Sequence, residues 1–293
     1  MIFTPGAILL TLGASVGYGS FDAVRKRLAA SVEPLPLTAL MGMGQAPLFA
    51  VWMLAAGAEL PRAGYAPEAA ASITFALVGN LFFMRALQVS PLSLTIPFLS
   101  FSPVFTVLSS RTLLGEAPQS LQALGIAWVV IGAFLLNLAR EDLLRPSRFF
   151  SGVTRERGSL MMLAAALLWS LGSIFDKRAL AYASVPVHAF IQCLGIALCV
   201  IVLLALRRNL KALGTVNRCR GTYAVGLLIA SVAQGLQFFA LPLVVVSLFE
   251  SIKRCIGMTM AVINGAVFFK EPVTVQKLAA IALMGTGVVL ILS

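Results

Sequence analysis

The sequence predicts an all-α integral membrane protein, with ten transmembrane helices laid out as two inverted five-helix repeats. Three observations carry that expectation. Hydrophobic residues make up 59% of the 293 positions and charged residues only 11%, with a mean hydropathy of +0.96, a balance that water-soluble domains of this length do not reach. Apolar segments of roughly the 20 residues that a span requires follow one another from Pro5 to Leu292 with little between them. Finally, Gly115-Glu116-Ala117-Pro118, followed by an apolar run containing Gly132, recurs 155 positions later as Lys270-Glu271-Pro272-Val273, followed by an apolar run containing Gly287. Such self-similarity marks an internal duplication.

The ten segments fall near residues 5–27, 35–58, 68–88, 91–113, 118–139, 158–179, 186–206, 221–241, 243–268 and 273–292. Pro5, Pro34, Pro36, Pro67, Pro91, Pro118, Pro186 and Pro272 stand near their starts, where a missing N–H costs a helix little. The first segment lacks the basic n-region of a secretory signal and has the length of a span, so it is expected to be a retained helix, with the mature chain beginning at Met1. A closed barrel would instead show short segments alternating apolar and polar residues, and none do. In the fourth segment Pro97 and Pro103 stand among Ser100, Ser102, Thr106 and Ser109, predicting a bend that can act as a hinge. Gly257 is the matching weak point expected in the ninth.

The longest polar stretch, Arg140 to Arg157, separates the segments five from five. The expected organisation is therefore a first repeat over residues 1–140, a polar linker over 141–157 and a second repeat over 158–293. An odd number of spans per repeat sends the second copy into the bilayer from the opposite side. The duplication extends to other segments: at an offset of 154, Phe21-Asp22 falls on Phe175-Asp176, Asn80 on Gln234, and Ala86-Leu87 on Ala240-Leu241. Basic residues are unequally shared between the two sides. Arg25 to Arg27, Arg85, the Arg140 to Arg157 stretch, Arg207 to Arg220, Lys270 and Lys277 follow odd-numbered segments, whereas the other side holds Arg62, Arg111, Lys177 and Arg178. The positive-inside rule then puts both termini outside.

Net charge is +11, but the cations cluster between apolar runs, which points to the membrane surface and not to nucleic acid. Cys193, Cys199, Cys219 and Cys255 show no CxxC or CxxH spacing and read as packing residues.

Together these features resemble the drug/metabolite transporter superfamily, and specifically its ten-helix EamA-type carriers. The resemblance covers essentially the whole chain. It rests on Gly115-Glu116 and Lys270-Glu271 closing the fourth helix of each repeat, and on the glycine-containing fifth helices with Gly125 and Gly132 or Gly285 and Gly287. Trp169-Ser170 with Lys177 is similar to the family's first-helix pattern, from which Gly17-Tyr18-Gly19 and the run Arg25, Lys26, Arg27 depart. The resemblance implies export or exchange of small metabolites such as amino acids and sugar derivatives.

The strongest local signal lies in the ninth segment, where Glu250, Lys253 and Arg254 stand well inside a span. One such group at the bilayer centre costs roughly 2.5 to 3.5 kcal/mol, so all three should face protein or water. Helical spacing lines up Glu250, Lys253 or Arg254, Gly257, Ala261 and Asn264. Two readings stay open. Arg254 or Lys253 attracts a substrate carboxylate or phosphate while Glu250 binds an amine or carries a coupling proton, or the three merely neutralise one another.

Ser15, Tyr18 and Asp22 share a face of the first helix, and Trp169, Gly172 and Asp176 repeat that geometry in the sixth. Asp22 and Asp176 are expected to form salt bridges at the interface. Asn80 and Gln234, with Gln237 close by, are repeat-related amides that either bond substrate or tie helices together. Thr38, Met41 and Gln45 form another candidate stripe. The lone His188, with Gln192 one turn later, is expected at a helix end meeting water, and no metal site is expected.

No GxSxG, HExxH, His/Cys cluster or GxxxxGK[ST] pattern occurs, so neither an enzyme nor ATP-driven transport is expected, and no cofactor. The expectation is a secondary transporter, exporting or exchanging a small anionic or zwitterionic metabolite such as an amino acid, in a bacterial inner membrane. The alternatives are a flippase for a lipid or lipid-linked intermediate and a non-transporting membrane scaffold. Expected partners are a small-molecule substrate and the lipid bilayer, with a homodimer as the candidate assembly.

Overall fold

A computed structural model describes residues 4–29, 31–90, 96–137, 157–270 and 272–293. No β-strand occurs among them. The α-helices are α1 (Pro5–Leu28), α2 (Pro34–Ala55), α3 (Tyr65–Val89), α4 (Ser102–Leu113), α5 (Ser120–Asn137), α6 (Arg157–Ala179), α7 (Val185–Leu206), α8 (Arg220–Ala240), α9 (Val246–Phe269) and α10 (Val275–Leu292). Eight of these, α1, α2, α3, α5, α6, α7, α8 and α10, are long and apolar enough to cross a bilayer. Most of the linker 141–157, and Glu271, lie outside the described residues.

Helix ends follow local chemistry. Thr4 Oγ1 accepts from the Ala7 N–H at 3.3 Å and Pro5 opens α1, while Arg25, Lys26 and Arg27 sit in its last turn, where cations complement exposed carbonyls. Thr274 Oγ1 caps α10 by accepting from the Lys277 N–H at 3.3 Å. The repeated motif has a backbone role: Gly115, after α4, and Lys270, after α9, both adopt left-handed conformations, with φ of 67° and 53°. A left-handed residue ends a helix sharply, and glycine does so without steric cost.

The fourth segment departs from expectation. A 3-10 turn over Ile96–Phe101 precedes an α-helix of 12 residues starting at Ser102. Pro103 sits in the first turn of α4, where it has no i−4 carbonyl to satisfy, so the expected bend is a change of helix type. In contrast, α9 runs as one helix through Gly257.

The chain forms two compact units, and each draws on both halves of the sequence. Unit 1 holds residues 78–174 and 244–293, and unit 2 holds residues 2–77 and 175–243. In unit 1, α5 packs on α10 through glycines. A Cβ on Gly125 would lie 2.5 Å from the Gly287 carbonyl oxygen, one on Gly287 2.7 Å from that of Gly125, and one on Gly132 2.9 Å from that of Ala280. Small residues let backbones touch where lipid supplies no hydrophobic drive. Ala86, Phe98, Leu99, Met162 and Ala166 form a neighbouring apolar core.

Unit 1 also ties the first copy of the motif to α9. Glu116 Oε2 accepts from the Val246 N–H at 3.3 Å, placing a carboxylate at a helix start whose own N-cap residue, Val245, offers no side-chain acceptor. Glu116→Ala is expected to cost about 1 kcal/mol, read as a lower melting temperature in detergent, with Glu116→Gln recovering part of it.

In unit 2, α2 meets α7 where a Cβ on Gly42 would stand 2.7 Å from the Cys193 carbonyl oxygen, and α1 meets α8 where one on Gly17 would stand 2.8 Å from the Ala233 Cβ. Leu28, Val32, Leu37, Met41 and Ala230 are buried together, and the Tyr223 hydroxyl donates to the Leu40 carbonyl at 2.6 Å.

Candidate functional site

Helix α9 presents its charged residues within unit 1 at the positions their spacing dictates. Glu250 is only 8% exposed. Lys253 Nζ lies 2.6 Å from Glu250 Oε1 and 5.2 Å from the centroid of the Phe249 ring, and the Ser173 hydroxyl of α6 donates to the same carboxylate oxygen at 2.9 Å. A buried carboxylate needs both a cation and hydrogen-bond donors to offset lost hydration. Glu250 has both.

Arg254 is engaged elsewhere. Its Nη2 donates to Ser102 Oγ at 2.7 Å, at the point where the 3-10 turn becomes α4. Ser170 of α6 donates to the Ser102 carbonyl at 2.9 Å, so three helices meet around this guanidinium. One turn along α9, a Cβ on Gly257 would meet nothing within 4 Å. Residues at i and i+3 share a helix face, so open space adjoins the Arg254 side of α9.

Trp169, just before Ser170, is half-buried. Its ring centroid lies 5.2 Å from that of Phe83, and its indole covers Gly79, where a Cβ would come within 2.7 Å. Asn80, next to Gly79, is also half-buried. Unit 1 therefore contains Asn80, Trp169, Glu250, Lys253 and Arg254.

Tyr18, Gln234 and Gln237 belong to unit 2. Tyr18 is half-buried in α1 and Gln237 is buried in α8. Gln234 is part of a polar network that joins residues the sequence offered only separately. Its Nε2 donates to Gln192 Oε1 at 2.8 Å, and its Oε1 accepts from Gln45 Nε2 at 3.1 Å and from the Cys193 thiol at 3.3 Å. Gln192 Nε2 donates in turn to Asp176 Oδ1 at 2.6 Å and to Ser72 Oγ at 2.9 Å, and the Ser72 hydroxyl donates to the same Asp176 oxygen.

Two expectations are corrected here. Asp176 forms no interfacial salt bridge: it is 5% exposed, and its Oδ1 lies 3.2 Å from His188 Nε2. Its repeat counterpart Asp22 behaves as expected, bridging Arg25 at 2.9 Å with about half of each side chain exposed. His188 is 0% exposed and does not meet water. The first turn of α7 is covered by the rings of Tyr65, at 5.9 Å, and Phe238, at 4.8 Å, and Tyr65 Oη stands 3.0 Å from His188 Nδ1. The available signal was the set of lone polar residues inside apolar runs, namely His188 and Gln192 one turn apart together with Gln45 and Gln234.

Among the described residues, no three His, Cys, Asp or Glu side chains gather as a metal site. All four cysteines are free thiols.

Comparison with known proteins adds an independent line. A family model described as the EamA-like transporter family matches the chain twice, over residues 5–138 and 156–293. No match was found among curated proteins. A solved structure described only as "Crystal structure of protein" superposes with a TM-score of 0.75 at 19% identity, covering 97% of this chain and 95% of the other; at that identity the likeness speaks for the fold. The duplicated match spans nearly the whole of an all-helical, apolar chain, and the protein therefore belongs to the EamA-like transporter family, integral membrane transporters of small molecules.

Proposed function

We propose that the protein is a secondary transporter for a small anionic or zwitterionic metabolite of the amino-acid kind, working by alternating access as an exporter or exchanger. On this reading the repeats over 1–140 and 158–293 supply ten spans of inverted topology, joined through 141–157, with both termini outside a bacterial inner membrane. The observation that carries the substrate class is the α9 cluster. Two cations and one carboxylate stand within a helix of 24 residues, Glu250 holds Lys253, and Arg254 rests on the neutral Ser102 hydroxyl beside open space at Gly257. A guanidinium on a hydroxyl can exchange that partner for a substrate carboxylate, a stronger charge-assisted bond. Trp169 and Asn80 add an aromatic face and an amide within the same unit. Tyr18, Gln234 and Gln237, which belong to unit 2, are proposed as further substrate-binding residues.

Proteoliposomes preloaded with a mixture of unlabelled amino acids are expected to accumulate radiolabelled amino acids by counterflow. Translocation of fluorescent phospholipid headgroups without counterflow would replace the carrier reading with a flippase, and neither activity would favour a scaffold. A further outcome follows from Gly257: Gly257→Leu fills open space and improves helix propensity by roughly 1 kcal/mol. It is expected to leave the melting temperature unchanged or higher while lowering counterflow severalfold.

A further inference from the structure

We propose that the buried Asp176–His188 pair is a proton-binding site, through which transport is coupled to a proton gradient, and that three glutamines carry its protonation state to α2, α7 and α8. The coupling part rests on the transporter reading above; the proton site stands on its own geometry.

With Asp176 ionised, the contacts of His188 fit one arrangement of protons. Asp176 Oδ1 faces His188 Nε2 at 3.2 Å, and an ionised carboxylate only accepts, so Nε2 carries the hydrogen. In the neutral imidazole Nδ1 is then the acceptor, and the Tyr65 hydroxyl, 3.0 Å away, donates to it. A second proton goes to Nδ1. The Tyr65 hydroxyl then turns its hydrogen away and accepts from Nδ1–H through its oxygen. No heavy atom has to move, and the contact between Tyr65 and His188 is kept with its direction reversed. The pair passes from a charge of −1 to 0 on binding one proton, and returns to −1 on releasing it. Few buried groups have a partner able to donate in one state and accept in the other.

The surroundings make this pair the place where charge changes. From α3, Tyr65 touches His188, and Glu68 is engaged by Arg178 at 2.7 Å. On α6, Lys177 and Arg178 follow Asp176 in sequence, and α7 adds the Cys193 thiol. In α1, Asp22 is bridged to Arg25. The residues that α2 and α8 bring to the network are Gln45, Gln234 and Phe238, none of which titrates.

The glutamines convert that charge into helix contacts. Gln45 donates to Gln234, Gln234 to Gln192, and Gln192 to Asp176. Every amide N–H along this chain points towards the carboxylate, an alignment that an anion at one end enforces and that successive polarisation strengthens. Neutralising the pair removes the reason for that alignment and loosens the links among α2, α7, α8 and α6. The sequence offers this site as separate polar residues in five different segments, and only folding makes it one.

His188 is the single histidine of the chain, so 15N imidazole NMR of histidine-labelled protein in nanodiscs reports this residue alone. The expected spectrum shows the Nε2–H tautomer at high pH and protonation of Nδ1 as pH falls between about 9 and 4.5. Asp176→Asn removes the anion that the Nε2–H faces, and is expected to change the pH at which that transition falls. Tyr65→Phe keeps the carboxylate but removes the reversible hydroxyl, and is expected to shift the transition too; it decides the matter if the Asn variant does not fold. A histidine that holds one protonation state across the range, or a transition that neither variant moves, would overturn the proposal. Because the titration needs no transport, its failure is distinct from a failure of counterflow.

Discussion

Arg254→Ala is expected to reduce amino-acid counterflow by about 10- to 100-fold while the protein still expresses and folds. The magnitude follows from one charge-assisted hydrogen bond, worth roughly 1.5 to 3 kcal/mol when a guanidinium meets a carboxylate away from water. Ser102 Oγ loses one donor in the variant, a single bond to a hydroxyl, so the structural cost is smaller than the functional one. Arg254→Lys should recover only part of the rate, because an ammonium is a point charge and lacks the planar fork that engages both carboxylate oxygens. Glu250→Gln should act differently. It leaves Lys253 without its anion and gives a protein that binds anionic substrates as well as before, or better, but turns over more slowly. Normal transport by Arg254→Ala would falsify the α9 site.

Gly287→Val carries the largest expected effect on stability, roughly 1 to 3 kcal/mol from forced separation of packed helices. The new Cβ would stand 2.7 Å from the Gly125 carbonyl oxygen and 2.9 Å from Val129, and a backbone carbonyl cannot rotate aside as a flexible side chain can. The control lies two residues away: a Cβ on Gly285 meets nothing within 4 Å, so Gly285→Val should leave the melting temperature nearly unchanged. Equal effects from the two substitutions would mean that α5 and α10 do not meet at their glycines.

These two glycines also show what was legible beforehand. A repeated glycine in an apolar run pointed to duplication, but nothing local distinguishes Gly287, where a Cβ would meet backbone carbonyl, from Gly285, where it would meet nothing within 4 Å. The ends of the helices were readable because prolines and cap residues act over a few positions, as at Pro5 and Thr274. The fourth segment was harder: Pro97 and Pro103 announced a disturbance without saying that the backbone would tighten into a 3-10 turn. At the α9 site, spacing put both Lys253 and Arg254 within reach of Glu250, whereas the bond from Arg254 to Ser102 joins residues 152 positions apart. The clearest limit is the pair Asp22 and Asp176. Both follow a phenylalanine at matched positions in the duplication, yet one is half exposed and the other is enclosed by Ser72, His188 and Gln192. Burial is decided by segments far away in sequence, which no local pattern encodes.

The glycine contacts of α5 and α10 have one more consequence. At the 155-residue offset of the duplication, Gly125 corresponds to Ala280, and Gly132 to Gly287. The close approaches pair Gly125 with Gly287 and Gly132 with Ala280, so exchanging the two copies turns each contact into the other. That reciprocity is the mark of an isologous interface, in which one surface is complementary to itself about a two-fold axis. A polypeptide holding only one of the copies would carry the whole of this surface and could meet a second molecule of itself in the same register. The present chain keeps such a seam in covalent form, and its two sides are free to differ, as Gly125 and Ala280 do.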